Sequence, residues 1–187
     1  MADIGITTPS KPRASGASSG PAAAAEPEPY WDLIELLFFA YRDFVGDPDE
    51  VLIKLGFGRA HHRVLHFVNR NPGMKVADLL DVLKITKQSL GRVLKQLIDD
   101  GYVVQKEGDN DRRQRLLYAT VAGEALAMKL AGLQTARIGR VLEELGPGGR
   151  EAARRFLAGM IDAEDRDRVL RLVTHSDRAR PHARDGG

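Results

Sequence analysis

Apolar residues recur at helical spacing in two adjacent runs between residues 76 and 101, a pattern that predicts two short helices. The interruption Lys84-Ile85-Thr86 separates the two runs. Thr86 is suited to begin the second helix, because its hydroxyl can accept a hydrogen bond from a free backbone N–H. Gly101 is suited to end it, since glycine adopts the left-handed conformation at little cost. The apolar positions are Val76, Leu79, Leu80 and Leu83, then Leu90, Val93, Leu94, Leu97 and Ile98.

Two runs of strand-forming residues follow this helix pair. Residues 102–106 are rich in β-branched and aromatic side chains, and residues 115–120 form a second run of similar character. Residues 107–114 between them are polar and contain turn formers. Helix, turn, helix and β-hairpin in this order predict a winged helix. The expected fold class is mainly α with a small β-hairpin wing: a winged helix-turn-helix plus a helical dimerisation region.

Apolar stripes also predict helices on both sides of this unit. A long helix from about residue 122 to 145 ends at Gly146-Pro147-Gly148-Gly149, and a last helix extends towards Leu170 and Val173. These helices carry more apolar surface than a winged helix needs to cover its core, so we expect a two-fold homodimer. The stripe on the first helix consists of Trp31, Ile34, Phe38, Tyr41 and Val45.

These elements divide the chain into five segments. Residues 1–29, rich in Pro, Ala, Ser and Gly, are expected to form a disordered tail that is not a secretion signal. Residues 30–58 are expected to form the first helix of the dimerisation region, and residues 59–120 the winged helix-turn-helix lobe. Residues 121–173 are expected to supply the C-terminal dimerisation helices, and residues 174–187 a flexible tail.

Charge and composition narrow the function. The net charge is only +2, but four cations and no acid lie between Lys84 and Leu97. The chain has no cysteine and no apolar run long enough to span a membrane, so we expect a cytoplasmic protein without a membrane partner. No motif indicates a cofactor or an enzyme: the Gly56-Phe57-Gly58 and His62–His66 segments each lack residues that a dinucleotide or zinc-protease site requires.

The cationic second helix and the hairpin tip predict contacts with double-stranded DNA. Of the helix side chains, four are expected at base edges or adjacent phosphates, and Gln88 and Arg92 can pair bidentately with adenine and guanine. Thr86 and Lys95 are expected at phosphates. In the hairpin, Arg113 is predicted to enter the minor groove, oriented by Asp111, with Arg112 as the alternative. The base-edge set is Lys87, Gln88, Ser89 and Arg92, and the further backbone candidates are Arg115, Arg70 and Lys75.

These residues resemble the MarR family of bacterial transcriptional regulators. The wing pattern of the family is matched by Asp111-Arg112-Arg113 with Ala119-Thr120, although Ala119 replaces the usual leucine. Gly123 matches a glycine near the start of the next helix, and residues 85–93 fit the family's recognition helix. The resemblance covers roughly residues 30 to 165. It implies a homodimer joined by its first and last helices, an operator with inverted-repeat symmetry, and more commonly repression than activation.

The histidine cluster near residue 61 is open to three interpretations. His61, His62 and His66 can be packed or surface residues near the dimer boundary. The family resemblance implies a small-molecule effector in the cleft between the lobes, and the pocket residues would be Phe38, Tyr41, His62, Arg63 and His66. The third interpretation is a metal site in which Glu35 or Asp43 joins His62 and His66; we expect no metal.

The same helix-turn-helix and hairpin also occur in proteins with a different class of function. Winged helices also serve as architectural DNA-coating proteins or as protein-interaction modules without operator specificity. An architectural binder usually carries a larger positive charge, and an interaction wing has no need of arginines at its tip. Both points favour a sequence-specific regulator.

Overall fold

The computed structural model describes residues 28–108 and 114–178, with side chains up to residue 175. Within these ranges the chain forms seven helices and three strands, which confirms the predicted fold class. The elements are α1 (Trp31–Ile53), α2 (Arg59–Arg70), β1 (Met74–Lys75), α3 (Val76–Leu83), α4 (Lys87–Asp99), β2 (Val103–Glu107), β3 (Arg115–Ala119), α5 (Val121–Leu145), α6 (Gly149–Gly159) and α7 (Ala163–Arg178).

The three strands form one antiparallel sheet in the order β1-β3-β2. β2 and β3 are the two strands of the predicted hairpin, in register from Val103 opposite Ala119 to Glu107 opposite Arg115. β1 was not predicted, because a two-residue strand is too short to show an alternating pattern. It is fixed by its partner: the backbone N–H of Gly73 donates to the carbonyl of Leu117 at 2.8 Å, and Leu117 is fully buried.

One apolar core joins α2, α3, α4, the sheet and the first half of α5. Each of these elements contributes side chains with no exposed surface, and burying one leucine or valine in this way contributes about 1.5–3 kcal/mol. The core reaches α1 only at its C-terminal end, where Val45 and Leu52 are buried. The fully buried members are Leu52, Val64, Val68, Leu79, Leu97, Leu117 and Leu130.

The turns around α4 follow the predicted local chemistry. The hydroxyl of Thr86 accepts a hydrogen bond from the backbone N–H of Ser89 at 3.2 Å, which confirms Thr86 as the N-cap. Gly101 has a φ of +77° just after α4, which confirms it as the terminating residue. Lys84 ends α3 with a φ of 50°, a conformation uncommon for a residue other than glycine. This sharp reversal allows only three residues to separate the end of α3 from the start of α4.

The predicted C-terminal helix is instead two helices. Met160, Ile161 and Asp162 separate α6 from α7, and the carbonyl of Asp162 accepts from the N–H groups of Asp165 and Arg166 as α7 begins. The guanidinium of Arg166 donates to the carbonyls of Gly159 and Ile161, both at 2.9 Å, and so satisfies the end of α6. α7 continues to Arg178, beyond the expected boundary at residue 173. The rest of both predicted tails lies outside the described residues.

Among the helices of the described ranges, none is both long and apolar enough to cross a membrane.

Gly123 lies where α5 leaves the sheet, and the backbone is too close there for a side chain. Thr120 caps α5 by accepting from the N–H of Gly123 at 3.0 Å, and its own hydroxyl donates to the carbonyl of Gly101 at 2.7 Å. A Cβ on Gly123 would lie only 2.0 Å from the carbonyl oxygen of Tyr102. The start of α5 is therefore held tightly against the segment that joins α4 to β2.

We predict opposite effects for alanine at two glycines of the same helix. Gly123→Ala forces α5 away from Tyr102, and we expect it to lower the free energy of unfolding by about 1–3 kcal/mol or more. Gly132→Ala meets no atom within 4 Å, and we expect it to stabilise α5 by up to about 1 kcal/mol. Urea unfolding at one fixed protein concentration measures both. Equal effects of the two substitutions would contradict the close approach at Gly123.

Candidate nucleic-acid interface

The helix α4 has one buried face and one cationic face. Its inner side chains Leu90, Val93, Leu94 and Leu97 lie in the core. On the outside, Lys87, Gln88, Arg92 and Lys95 are exposed and Ser89 is half-buried. The structure therefore brings together all the helix residues that the sequence predicted as DNA contacts. Because the core fixes the inner face, the direction of the outer face is fixed too.

The first turn of α4 is braced by its own polar side chains. The hydroxyl of Thr86 donates to the hydroxyl of Ser89 at 2.9 Å, in addition to accepting from the backbone N–H of that residue. These bonds orient Ser89 at the start of the outer face. Neither residue is acidic, and no acidic residue lies in the first turn of α4. The positive end of the helix dipole therefore meets an approaching phosphate without local repulsion.

Two of the predicted cations form ion pairs with acids on the protein surface. Lys95 pairs with Asp99 one turn along α4, and Arg115 pairs with Glu107 across the β-hairpin at 3.0 Å. Both lysine–aspartate partners are largely exposed, as are both side chains of the hairpin pair. Such pairs contribute little in water, so a DNA phosphate can replace either acid at small cost.

The hairpin is described on both sides of its tip. β2 and β3 approach the tip in register, and the N–H of Gly108 donates to the carbonyl of Gln114 at 3.1 Å. The predicted minor-groove residues Asp111, Arg112 and Arg113 lie outside the described residues.

The two remaining backbone candidates lie apart from the outer face of α4. Lys75 is exposed beside the start of α3. Arg70 ends α2 and lines a groove of about 440 Å³ that runs between α3 and α7. The structure thus places Arg70 beside the C-terminal helix α7 instead of α4.

A second cavity, of about 310 Å³, lies where α1, α2 and α5 meet. Four of the five predicted effector residues line it, whereas Phe38 does not and is 64% exposed. Sequence reasoning missed the other five lining residues, Phe44, Val45, Arg59, Phe67 and Gln134. The helical spacing of Arg59, His62 and His66 was a signal for Arg59. Gln134 had no such signal, because it comes from α5, far along the chain. The lining residues are Tyr41, Phe44, Val45, Arg59, His62, Arg63, His66, Phe67 and Gln134.

The charged residues of this cavity are connected to their surroundings. The Nε of Arg59 donates to a carboxylate oxygen of Asp49 at 2.7 Å. The other oxygen of Asp49 is buried without a hydrogen-bond partner among the described residues. Arg63 donates to the carbonyl of Leu83 at 2.8 Å, and this carbonyl lies at the end of α3 just before the turn into α4. The cavity wall is therefore in direct contact with the helix-turn-helix.

The proposed metal ligands do not assemble. Within the described parts of the chain, no three His, Asp or Glu side chains lie close enough together to hold a metal ion. Glu35 and Asp43 therefore do not complete a site with His62 and His66.

Much of the apolar surface outside the core is left uncovered by the described residues, 28–108 and 114–178. On α1 the side chains of Trp31 and Phe38 are 63% and 64% exposed, and others on the same helix are similarly open. Further exposed apolar residues lie in the second half of α5 and on or just after α6. Over the three helices, the other exposed apolar side chains include Ile34, Leu36, Leu37, Phe39, Tyr41, Ile138, Val141, Leu145, Phe156, Leu157 and Met160.

Comparison with known proteins gives consistent results. Residues 55–114 match a model of the MarR family. The chain is similar to the HTH-type transcriptional regulator PetP of Rhodobacter capsulatus, with 46% identity over 129 residues that cover 69% of this chain and 78% of that protein.

Solved structures share the fold at lower sequence identity. Streptococcus pneumoniae FabT in complex with DNA is 14% identical, with a TM-score of 0.63, over 71% of this chain and 94% of that chain. NadR in complex with 4-hydroxyphenylacetate is 22% identical, with a TM-score of 0.59, over 75% and 97%.

The histidine in the cavity wall predicts a pH dependence of stability. Burial lowers the pKa of the His62 side chain, and the charge of Asp49 opposes this only in part. The unfolded chain therefore binds this proton more readily, so stability is lost as the pH falls below the ordinary histidine value of about 6.5.

We expect His62→Gln to make the fall in unfolding free energy between pH 7.5 and pH 5 shallower, as measured by urea unfolding. His175→Gln, which removes an exposed histidine on α7, serves as the control and should leave the wild-type slope. An unchanged slope in His62→Gln would contradict the assignment.

Proposed function

Since this chain belongs to the MarR family of helix-turn-helix transcriptional regulators, we propose that it represses promoters as a homodimer bound to an inverted-repeat operator. It is a DNA-binding regulator, not an enzyme. The observation that carries the proposal is the two-sided character of α4. Its buried face fixes it in the lobe, and its cationic, acid-poor outer face fits the major groove.

The polar residues of α4 have separate roles in this proposal. Arg92 reads guanine and Gln88 reads adenine, because each side chain can form two hydrogen bonds with the major-groove edge of its base. Lys87 and Ser89 contact base edges or the adjacent phosphates. Thr86 and Lys95 hold phosphates and so supply affinity without sequence information.

The wing supplies a second type of contact. Arg113 enters the minor groove, whose negative potential attracts a guanidinium group, and Asp111 orients it. Arg112 is the alternative, since successive residues of a hairpin point in opposite directions. Arg115, at the base of the wing, exchanges Glu107 for a phosphate. The register of β2 and β3, from Val103 opposite Ala119 to Glu107 opposite Arg115, supports a β-hairpin as the source of these contacts.

The homodimer rests on the unpaired apolar surface. Large apolar side chains on α1, α5 and α6 are exposed in the single chain, and a patch of this kind marks a protein interface. A two-fold axis through these helices would set two copies of α4 about one helical turn apart on the same side of the duplex. In this proposal, segments 30–58 and 121–173 contain the dimerisation helices, and segment 59–120 binds DNA.

An effector in the cavity at α1, α2 and α5 would modulate this geometry. Arg63 lines the cavity and also donates to the carbonyl of Leu83, so a ligand that engages its guanidinium competes with the end of α3. A small molecule with acidic and aromatic groups suits the arginine, histidine and aromatic lining. Such a ligand would bias the dimer between a DNA-competent and a DNA-incompetent arrangement, and its effect on operator affinity is limited by the difference between its affinities for the two.

Selection of bound fragments from a random DNA pool by the purified chain tests the function. We expect one inverted repeat with half-sites about one helical turn, roughly 10 base pairs, apart. Retention of DNA without any enriched sequence would contradict operator specificity and favour an architectural role. Failure to retain DNA would favour a protein-interaction module.

Repeating the selection with two variants separates base reading from phosphate binding. We expect Arg92→Ala to relax one position of each half-site, at a cost of about 1–3 kcal/mol for that base. Lys95→Ala should weaken all duplexes equally and reduce the salt dependence by about one phosphate contact. Loss of base preference at a half-site position in Lys95→Ala, with every base preference retained in Arg92→Ala, would contradict the assigned roles.

The dimer predicts that a charge on α1 produces a folded monomer. Phe38→Glu places a carboxylate in the proposed interface, where its desolvation opposes association, but the residue is exposed in the single chain. For Phe38→Glu we expect half the wild-type mass by light scattering, an unchanged helical signal in circular dichroism and a large loss of operator affinity. The control Val121→Glu alters an apolar side chain that is 89% exposed at the first residue of α5, the end of that helix opposite the exposed apolar residues Ile138, Val141 and Leu145 of the proposed interface, and should remain dimeric. A Phe38→Glu protein that remained dimeric would place the interface elsewhere.

A further inference from the structure

His61 lies in the first turn of α2, but its ring ends against the recognition helix α4. The Nδ1 atom accepts from the backbone N–H of Gly58 at 3.1 Å, and the Nε2 atom lies 2.9 Å from the side-chain oxygen of Gln96. The ring stacks on Phe57 with centroids 4.8 Å apart and planes 13° apart. Phe57 is itself buried, with Tyr102 packed edge-on against it. The imidazole is thus held by two hydrogen bonds and a stacked ring.

These contacts determine which nitrogen carries the proton. A backbone N–H can only donate, so Nδ1 of His61 must be unprotonated. The neutral ring therefore carries its proton on Nε2 and donates to the oxygen of Gln96. The amide nitrogen of Gln96 then faces the carbonyl of Gly56 at 3.4 Å. Both polar atoms of Gln96 are directed to the segment from Gly56 to His61.

The contact lies on the flank of the DNA-binding face. His61 and Gln96 share a shallow hollow of about 240 Å³ with Ser89, Arg92 and Val93. Two of these, Ser89 and Arg92, are proposed DNA contacts, and Gln96 is one helical turn beyond Arg92. The hydrogen bond joins residues 35 positions apart in sequence and ties the second half of α4 to the start of α2.

We infer that His61 is a positioning residue for operator recognition, acting through Gln96; the inference rests on the proposed operator-binding function. His61 fixes the rotation and height of the α4 segment that carries Arg92, and a bidentate base contact tolerates little displacement. Gln96 reads no base, because its amide is bound within the protein. Of the two glutamines on α4, only Gln88 remains for recognition.

The test is a double-mutant cycle on the ratio of operator affinity to affinity for a scrambled duplex. We expect His61→Ala and Gln96→Ala each to lower this ratio about fivefold to tenfold, the equivalent of one net hydrogen bond. The double variant should lose no more than either single variant, because both remove the same link. Independent, multiplying losses would overturn the inference, and His175→Ala is the control with an unchanged ratio.

Two conservative variants separate positioning from folding. In His61→Asn the side-chain oxygen can replace Nδ1 as the acceptor for Gly58 but is too short to reach Gln96. In His61→Gln the amide is long enough to serve both partners. We expect His61→Asn to keep most of the wild-type unfolding free energy but to lose the preference for the operator over a scrambled duplex. We expect His61→Gln to retain part of that preference. An asparagine variant with the wild-type preference would overturn the inference.

Ring-nitrogen NMR of the free protein tests the contact without any operator. We expect the proton of His61 on Nε2, with a shift that changes in Gln96→Ala. A proton on Nδ1 would overturn the inference even if operator binding is found. If the wild-type protein binds operator and scrambled duplexes equally, the proposed function fails. The NMR spectrum then decides by itself whether His61 and Gln96 are hydrogen-bonded.

Discussion

Burial of the inner face of α4 is the interaction on which the rest of the structure depends. Leu90, Val93, Leu94 and Leu97 pack into a core shared by α2, the sheet and the first half of α5. An exposed cationic helix of 13 residues would be marginal in water, because most helical stability in proteins comes from packing of an apolar face. The same burial orients the outer face, so the face that stabilises the fold and the face proposed to bind DNA lie on opposite sides of α4.

The elements around α4 control where it points. Lys84, in the left-handed conformation, and the cap at Thr86 set where α4 begins. Gly123 allows α5 to pack closely against Tyr102, in the segment just after α4 ends. Arg63 joins the cavity at α1, α2 and α5 to the last turn of α3. In the proposed function, a ligand in the cavity would act on α4 through this one hydrogen bond and the short turn that follows α3.

Local chemistry made α3, α4, their turn and the hairpin predictable from sequence. Thr86 and Gly101 act on their immediate neighbours, so their roles can be read from residue type and spacing. What the sequence did not predict depends on distant partners. β1 exists only because β3 pairs with it, and His61 meets Gln96 35 residues away.

Phe38 and Phe44 both belong to the apolar pattern of α1, but the rotation of α1 against α2 and α5 decides that only Phe44 lines the cavity. The break between α6 and α7 had a local signal, Gly159 followed by Asp162, which the apolar periodicity obscured.

In the proposed function, two copies of α4, held by a two-fold axis, read one operator together. Hydroxyl-radical footprinting of the selected DNA with the full chain is the decisive experiment. We expect two symmetric protected regions on one face of the duplex, their centres about one helical turn apart. A single protected half-site, or even protection along the whole fragment, would contradict it.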